Sequence, residues 1–335
     1  MIKNKKFILF LLLIFLNHCS FDSKTGIWDG SKDEKDRLVE LERQESNKVS
    51  SNKVYSSENI FSSEQNLNKK IYLSKPFKNT SWHMHGLNLQ NDLGNLYLSG
   101  LTSKFLNKKI GKNKFALSKV MNSPLIYNNN ILLSDQKGTI FNINQDGSIN
   151  WKKNIYKKIY KRIYKNLTFA INDNIIYVAD NVGFIYAISY NTGEIIWIKN
   201  HGIPLKSKIK VFENKIYIIN QDNRLLCLNL KDGSAIWDIR TISSFIKSQN
   251  FLSLALSKKG ELVASNSSGD LLKVNSINGN VNWSINTLTS MLAHDTDFFK
   301  SSDIVIVDES IFFSTRTSIF SINLENGYSN WKKNI

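Results

Sequence analysis

The 335-residue sequence predicts an all-β chain, a β-propeller of four-stranded antiparallel blades, on three observations. The first is a spacing. Gly147 precedes Trp151, Gly193 precedes Trp197, Gly233 precedes Trp237, Gly279 precedes Trp283 and Gly327 precedes Trp331, always as Gly-x-x-x-Trp, with successive tryptophans 40 to 48 residues apart. The second is turn chemistry: Asp146, Thr192, Asp232, Asn278 and Asn326 stand just before those glycines. Asn, Asp and Gly tolerate the positive backbone angle of tight hairpins, so each pair is expected to close a β-hairpin. The third is alternation ahead of each turn, in Phe141 and Ile143, Tyr186 and Ile188, Leu226 and Leu228, Leu272 and Val274, and Phe320 and Ile322. A spacing of two puts each pair on one face of a strand.

The rest of each unit follows upstream. Ten residues before the last four glycines a second turn ends at Gly183, Asn223, Gly269 and Thr317, with Gly138 in that role in the first unit. Ahead of it lies another β-rich stretch, as in Ile175-Ile-Tyr-Val and Ile216-Tyr-Ile-Ile. An Asn-rich or charged turn then separates a further apolar run, clearest at Leu167-Thr-Phe-Ala-Ile and Leu252-Ser-Leu-Ala-Leu. Four short strands make one blade, so residues 70–335 are expected to hold a propeller with blades ending near 151, 197, 237, 283 and 331.

Before the blades the chain changes character. Lys3, Lys5 and Lys6 precede an unbroken apolar run from Phe7 to Leu16. That run is too short to span a bilayer as a helix but fits an export signal over residues 1–18. Leu16-Asn17-His18-Cys19 resembles a bacterial lipoprotein signal, in which Cys19 is lipidated and becomes the new N-terminus; His18 departs from the small residue usual there, and an ordinary cleaved signal is the alternative. Ser20 fits the outer-membrane sorting pattern. Residues 19–69 are polar, rich in Ser, Asn, Lys and Glu, and read as lipid anchor and flexible tether. Between Lys70 and Val120 the repeat fades, and this segment is expected to complete the last blade as an N-terminal strand. His83 and His85 share a face there without a third ligand, which is ordinary for surface or packing histidines.

Two further features need separate treatment. From Lys152 to Lys165, Ile155, Ile159 and Ile163 recur every four residues beside Tyr156, Tyr160 and Tyr164, among Lys157, Lys158, Lys161, Arg162 and Lys165. On a helix this is a stripe suited to anionic lipid or a partner; the preferred reading is an inter-blade connection whose apolar side packs on the rim. Cys227, between Leu226 and Leu228, is expected on the opposite strand face with no chemistry. The formal charge is +16, and three lysines of that excess leave with the signal. A basic face attracts anionic lipid or an acidic partner. The export signal argues against nucleic acid.

Gly183-Phe-Ile-Tyr-Ala-Ile-Ser-Tyr-Asn-Thr-Gly-Glu-Ile-Ile-Trp197 resembles the repeat of pyrroloquinoline-quinone-type propellers, whose tryptophan on the outermost strand docks on the neighbouring blade. With the lipoprotein signal in front, the chain is most similar to the outer-membrane protein assembly lipoproteins of that group. The resemblance implies a non-enzymatic periplasmic scaffold, without cofactor or metal, lipid-anchored at the outer membrane. Its implied partners are the central barrel subunit of the assembly machine, through that subunit's periplasmic domains, and nascent outer-membrane proteins. That family closes eight blades, so five complete repeats imply an incomplete or open propeller, and truncation is the favoured explanation. The competing reading is a quinoprotein dehydrogenase, which the resemblance would furnish with adjacent cysteines, a calcium and an aspartate base. No adjacent cysteine pair exists, and Asp303, Asp308 and Glu309 are the nearest to an acidic cluster. A propeller that binds envelope polysaccharide is a third class.

Overall fold

The computed structural model describes residues 73–99, 106–108, 110–111, 123–160, 163–241, 247–287 and 300–335. The expected signal, Cys19 and the tether lie outside these residues. Five four-stranded antiparallel sheets follow one another, each in simple meander order. Blade 1 holds β1 (Leu125–Tyr127), β2 (Asn130–Ser134), β3 (Thr139–Ile143) and β4 (Ile149–Asn154). Blade 2 holds β5 (Leu167–Asn172), β6 (Ile175–Asp180), β7 (Phe184–Ser189) and β8 (Ile195–Asn200). Blade 3 holds β9 (Lys210–Phe212), β10 (Lys215–Ile219), β11 (Arg224–Asn229) and β12 (Ala235–Arg240). Blade 4 holds β13 (Leu254–Leu256), β14 (Leu262–Ser265), β15 (Asp270–Val274) and β16 (Val281–Asn286). Blade 5 holds β17 (Val305–Val307), β18 (Ser310–Ser314), β19 (Ser318–Asn323) and β20 (Ser329–Asn334).

In blades 2 to 4 the middle strands are buried on both faces because each of these blades is sandwiched between neighbours. Tyr186 and Ile188 of β7 do share a face, in the apolar cluster between blades 1 and 2. Ile185 and Ala187, in between, pack into the next cluster, between blades 2 and 3. β11 repeats the arrangement: Leu226 and Leu228 face blade 2, while Leu225 and Cys227 face blade 4. A strand covered on both sides reads as a continuous apolar run. The core is therefore four clusters in series, one per blade interface.

The turns correct one expectation. Only the glycine of each Asp-Gly, Asn-Gly or Thr-Gly pair takes a positive φ, 69° to 80° across the five. The preceding residue works through its side chain. Oδ1 of Asp146, Asp232, Asn278 and Asn326 accepts the N–H two residues on, from Ser148 at 2.9 Å, Ser234 at 3.0 Å, Asn280 at 3.0 Å and Tyr328 at 2.9 Å. Thr192 Oγ1 does the same for Glu194 N–H at 3.2 Å. Two consecutive positive φ values occur instead between first and second strands, at Asn128 and Asn129 and at Asp173 and Asn174. Those two-residue loops carry the twist a tight hairpin needs. The second–third turns are built on a buried acceptor that sequence reading passed over: Asp180 Oδ1 takes the N–H groups of Val182, Gly183 and Phe184, and Asn220 and Asn266 play the part in blades 3 and 4.

Connections alternate ends, so first–second and third–fourth turns lie at one end of the array. Second–third turns and inter-blade connections share the other, where Ser267 N–H donates to Asn223 Oδ1 of the preceding blade at 2.9 Å. The stretch from Lys152 to Lys165 leads from β4, which runs to Asn154, into an inter-blade connection with one short 3-10 turn at Lys158–Tyr160. Of its apolar stripe Ile155 packs on the rim, whereas Ile159 and Ile163 stay exposed, contrary to expectation. Tyr156 packs edge-on against Tyr186 and donates its hydroxyl to Asp180 Oδ2 at 2.5 Å. The Lys165 ammonium lies under the Tyr156 ring, 5.0 Å from its centre.

Residues 82–91 do not complete a blade. They run across the innermost strands of all five. Trp82 bridges Ile126 of β1 and Met84 bridges Ala170 of β5. The Leu89 and Gln90 carbonyls accept the N–H groups of Leu256 and Ile306 at 3.0 Å each, in β13 and β17. Asn91 Nδ2 donates to the carbonyls of Leu254 and Ile304 at 3.1 and 2.8 Å. The fifth contact comes from β9, through the Lys210 side chain.

Candidate docking surface

Two sets of residues position what the array can present: the seams between blades and the bolt along their inner strands. Each seam pairs a tryptophan with the glycine of the following blade. A Cβ on Gly193 would lie 2.6 Å from the Trp151 ring, on Gly233 2.6 Å from Trp197, on Gly279 2.9 Å from Trp237 and on Gly327 2.8 Å from Trp283. The indole N–H of Trp151, Trp237 and Trp283 donates to the carbonyl three residues before that glycine, Tyr190, Ser276 and Leu324, at 2.8, 3.3 and 3.1 Å. A bulge beside each tryptophan, such as that between Ala187 and Ile188 opposite Trp197, re-aims the ring across the seam. So the repeat glycine recurs because an indole lies flat on its Cα.

The ends of the series differ. Gly147 faces no tryptophan; the Leu106 and Lys108 side chains lie over it, and Lys108 Nζ donates to its carbonyl at 2.6 Å. Trp331 meets no repeat glycine among the described residues and is 48 % exposed. Among the described residues no seam joins blade 5 to blade 1, as in an open array.

Lys210 is wholly buried and points to the axis. Its ammonium donates to His85 O at 2.8 Å and to Asn88 O and Asn91 Oδ1 at 2.6 Å each. Burial pulls its pKa down to about 7, against the nearby Asp303 carboxylate, which raises it. Asp303 itself is held low first by its hydrogen bond from His85 Nε2, at 2.8 Å. His85 thus pairs with a carboxylate, while burial lowers the pKa of His83. Asp303 stands at the opposite end of β17 from Asp308 and Glu309, so those three acids do not converge. Among the described residues no three His, Cys, Asp or Glu side chains come together as a metal site. Cys227 is buried beneath neighbouring blade residues, and that burial pushes its thiol up to about 11. This donor set does not fit the calcium and cysteine pair of a quinoprotein centre.

What the array does expose is edges. β4, β8, β12 and β16 each terminate a sheet, with one side of the ladder unpaired. Along them Ile149, Ile196, Ile198, Ile236 and Val281 are 45–54 % exposed. Between the axial segment and blades 4 and 5 opens a cleft of about 590 Å³, lined in part by Phe77, Asp92, Lys258, Glu261, Asp308 and Glu325. Unpaired strand edges with apolar side chains are templates for an added strand.

Five blades stitched by tryptophan on glycine define a propeller-repeat protein of the quinone-type group. The chain belongs to the family of outer membrane protein assembly factor BamB, whose sequence profile matches residues 136–335. Over 138 residues it is 22 % identical to outer membrane protein assembly factor BamB of Moranella endobia, covering 38 % of this chain and 34 % of that one. Over 77 residues it is 30 % identical to quinoprotein ethanol dehydrogenase of Pseudomonas putida, covering 20 % of this chain and 12 % of that one. Both alignments span well under two thirds of those relatives. The crystal structure of BamB from Moraxella catarrhalis superposes with a TM-score of 0.52 at 11 % identity, covering 65 % of this chain and 67 % of that one. At that identity the likeness concerns the fold.

Proposed function

We propose that the chain is a non-enzymatic scaffold lipoprotein of the outer-membrane β-barrel assembly machinery, held at the periplasmic face of the outer membrane through Cys19. It docks on the periplasmic domains of the central barrel subunit and helps nascent barrel strands reach the insertion site. The observation that carries this reading is the row of unpaired outer strands with exposed Ile149, Ile196, Ile198, Ile236 and Val281, in a chain of the assembly-factor family. An extended barrel strand pairs its backbone with such an edge and lays alternate apolar side chains along it.

Affinity capture from gently solubilised envelopes tests the reading: the barrel assembly subunit is expected in the eluate, and its absence defeats the scaffold role. Ile196→Lys with Ile198→Lys, both exposed, is expected to leave folding intact while weakening crosslinks to an unfolded barrel protein about tenfold or more. The shared repeat favours one other reading, a quinoprotein dehydrogenase. Quinone with calcium is expected to leave no stoichiometric absorbance band on the purified chain.

A further inference from the structure

The two ends of the array carry opposite exposed charge. At the end formed by first–second and third–fourth turns, exposed Asp146, Glu194, Glu213, Asp232, Asp308 and Glu309 outnumber the exposed Lys108, Lys231, Lys258 and Lys259. At the other end, Lys157, Lys158, Lys247, Lys300 and Arg316 are exposed, while Asp135 and Asp180 are buried as turn acceptors. Asp303, 49 % exposed, is held by His85 and Asp222 lies 4.0 Å from Lys247, so the acids there are engaged by neighbours while Lys157, Lys158, Lys300 and Arg316 face outward. The apolar residues nearby are also out of place: Ile159 is 79 % exposed directly beside Lys157 and Lys158, and Phe251 is 39 % exposed with the Lys208 ammonium 5.1 Å from its ring centre. At the blade 5 side, Lys300 and Arg316 flank a pocket of about 570 Å³ whose other described lining residues, Asn250, Ser301, Ser302, Ser314 and Thr315, include no carboxylate.

We propose that this cationic end seats on an anionic lipid surface, with the Lys300–Arg316 pocket receiving a headgroup phosphate and Ile159 and Phe251 entering the acyl boundary. Cations beside exposed apolar tips are what a headgroup layer over hydrocarbon selects, and an acidic protein face would satisfy the cations but not Ile159. Two cations beside hydroxyl groups suit phosphate oxygens. The acidic end then points away from the bilayer, which fixes the orientation of the array independently of any assembly partner.

Co-sedimentation of the full chain with vesicles tests this, since any insertion through its own apolar leader is common to both lipid mixtures and to all variants. Vesicles of phosphatidylcholine with one third phosphatidylglycerol are expected to bind at least tenfold more tightly than phosphatidylcholine alone at ~0.1 M salt, at about fivefold per engaged cation. The preference is expected to fade at ~0.5 M salt. Lys300→Glu with Arg316→Glu is expected to cut the anionic preference tenfold or more. Ile159→Ser is expected to weaken anionic binding severalfold while keeping its salt dependence. Equal binding to the two mixtures, charge-reversed variants that keep the preference, or tighter binding to polyglutamate than to anionic vesicles would each overturn the proposal, and none bears on capture of the barrel subunit.

Discussion

At the scale of single residues, the seam glycines bear two constraints at once. Gly193 has a φ of +71° and lies under Trp151 with no room for a methyl group. Gly193→Ala is expected to cost about 2–3 kcal/mol, from the left-handed backbone and the displaced indole together. Gly202, at φ +74° with nothing within 4 Å of a built Cβ, separates the two terms: Gly202→Ala should cost only about 1 kcal/mol. Urea unfolding of both variants measures the difference, and equal losses would remove the indole from the explanation. Lys210 gives a pH signature. Its folded pKa, about 7, lies below the ordinary lysine value of 10.5, so the unfolded chain binds more protons between those values. Stability is therefore expected to rise as pH climbs from 7 towards 10.5, and Lys210's contribution to the slope to vanish below 7. Lys210→Met should abolish that part of the slope in denaturant titrations compared pH by pH.

At the scale of elements, the outermost strand of each blade serves two roles, closing a seam on one face and leaving an edge open. Trp237 spans from β12 to the third–fourth turn of blade 4, bonded to Ser276 O and packed on Gly279. Trp237→Ala is expected to cost about 3–5 kcal/mol, the range for emptying an aromatic site in a packed core. Trp331 occupies the equivalent place on β20 but is 48 % exposed, so Trp331→Ala should cost under about 1 kcal/mol. Equal losses for the two variants would show that the tryptophans stabilise their own blades and not the seams. The inter-blade connection after β4 is likewise fastened: Tyr156 ties it to Asp180, the acceptor that shapes the second–third turn of blade 2, and the Lys165 ammonium under the Tyr156 ring donates to the Ile163 carbonyl.

At the scale of the whole array, blades in series tend towards nearest-neighbour behaviour and can unfold piecemeal. The segment 82–91 opposes that tendency by bonding to all five innermost strands. Asn91 is its most connected member, giving Nδ2 to Leu254 O and Ile304 O and taking the Lys210 ammonium on Oδ1. Asn91→Ala is expected to lower stability by about 2–3 kcal/mol through buried groups left unpaired. It should also broaden the unfolding transition, giving a smaller denaturant slope. An unchanged slope would mean that blade-to-blade packing alone makes the array cooperative.

Repeat spacing, strand count and the seam tryptophans were legible in the sequence, because each is a local rule applied five times: an Asx or Thr before a glycine, four short strands, one indole four residues on. The resemblance to assembly lipoproteins rested on the same residues. Periodicity missed what is made once. Lys210, a charged residue at the start of a strand, looks like a solvated terminus until residues 85, 88 and 91 surround it with oxygens. His85 and Asp303, more than two hundred positions apart, pair across the axis for the same reason. The opposite charge of the two ends was hidden too, since acids and lysines alternate along the chain and are sorted only when antiparallel strands send successive turns to opposite ends. Local sequence determined the blades; long-range contacts decided what runs through them and which end faces outward with positive charge.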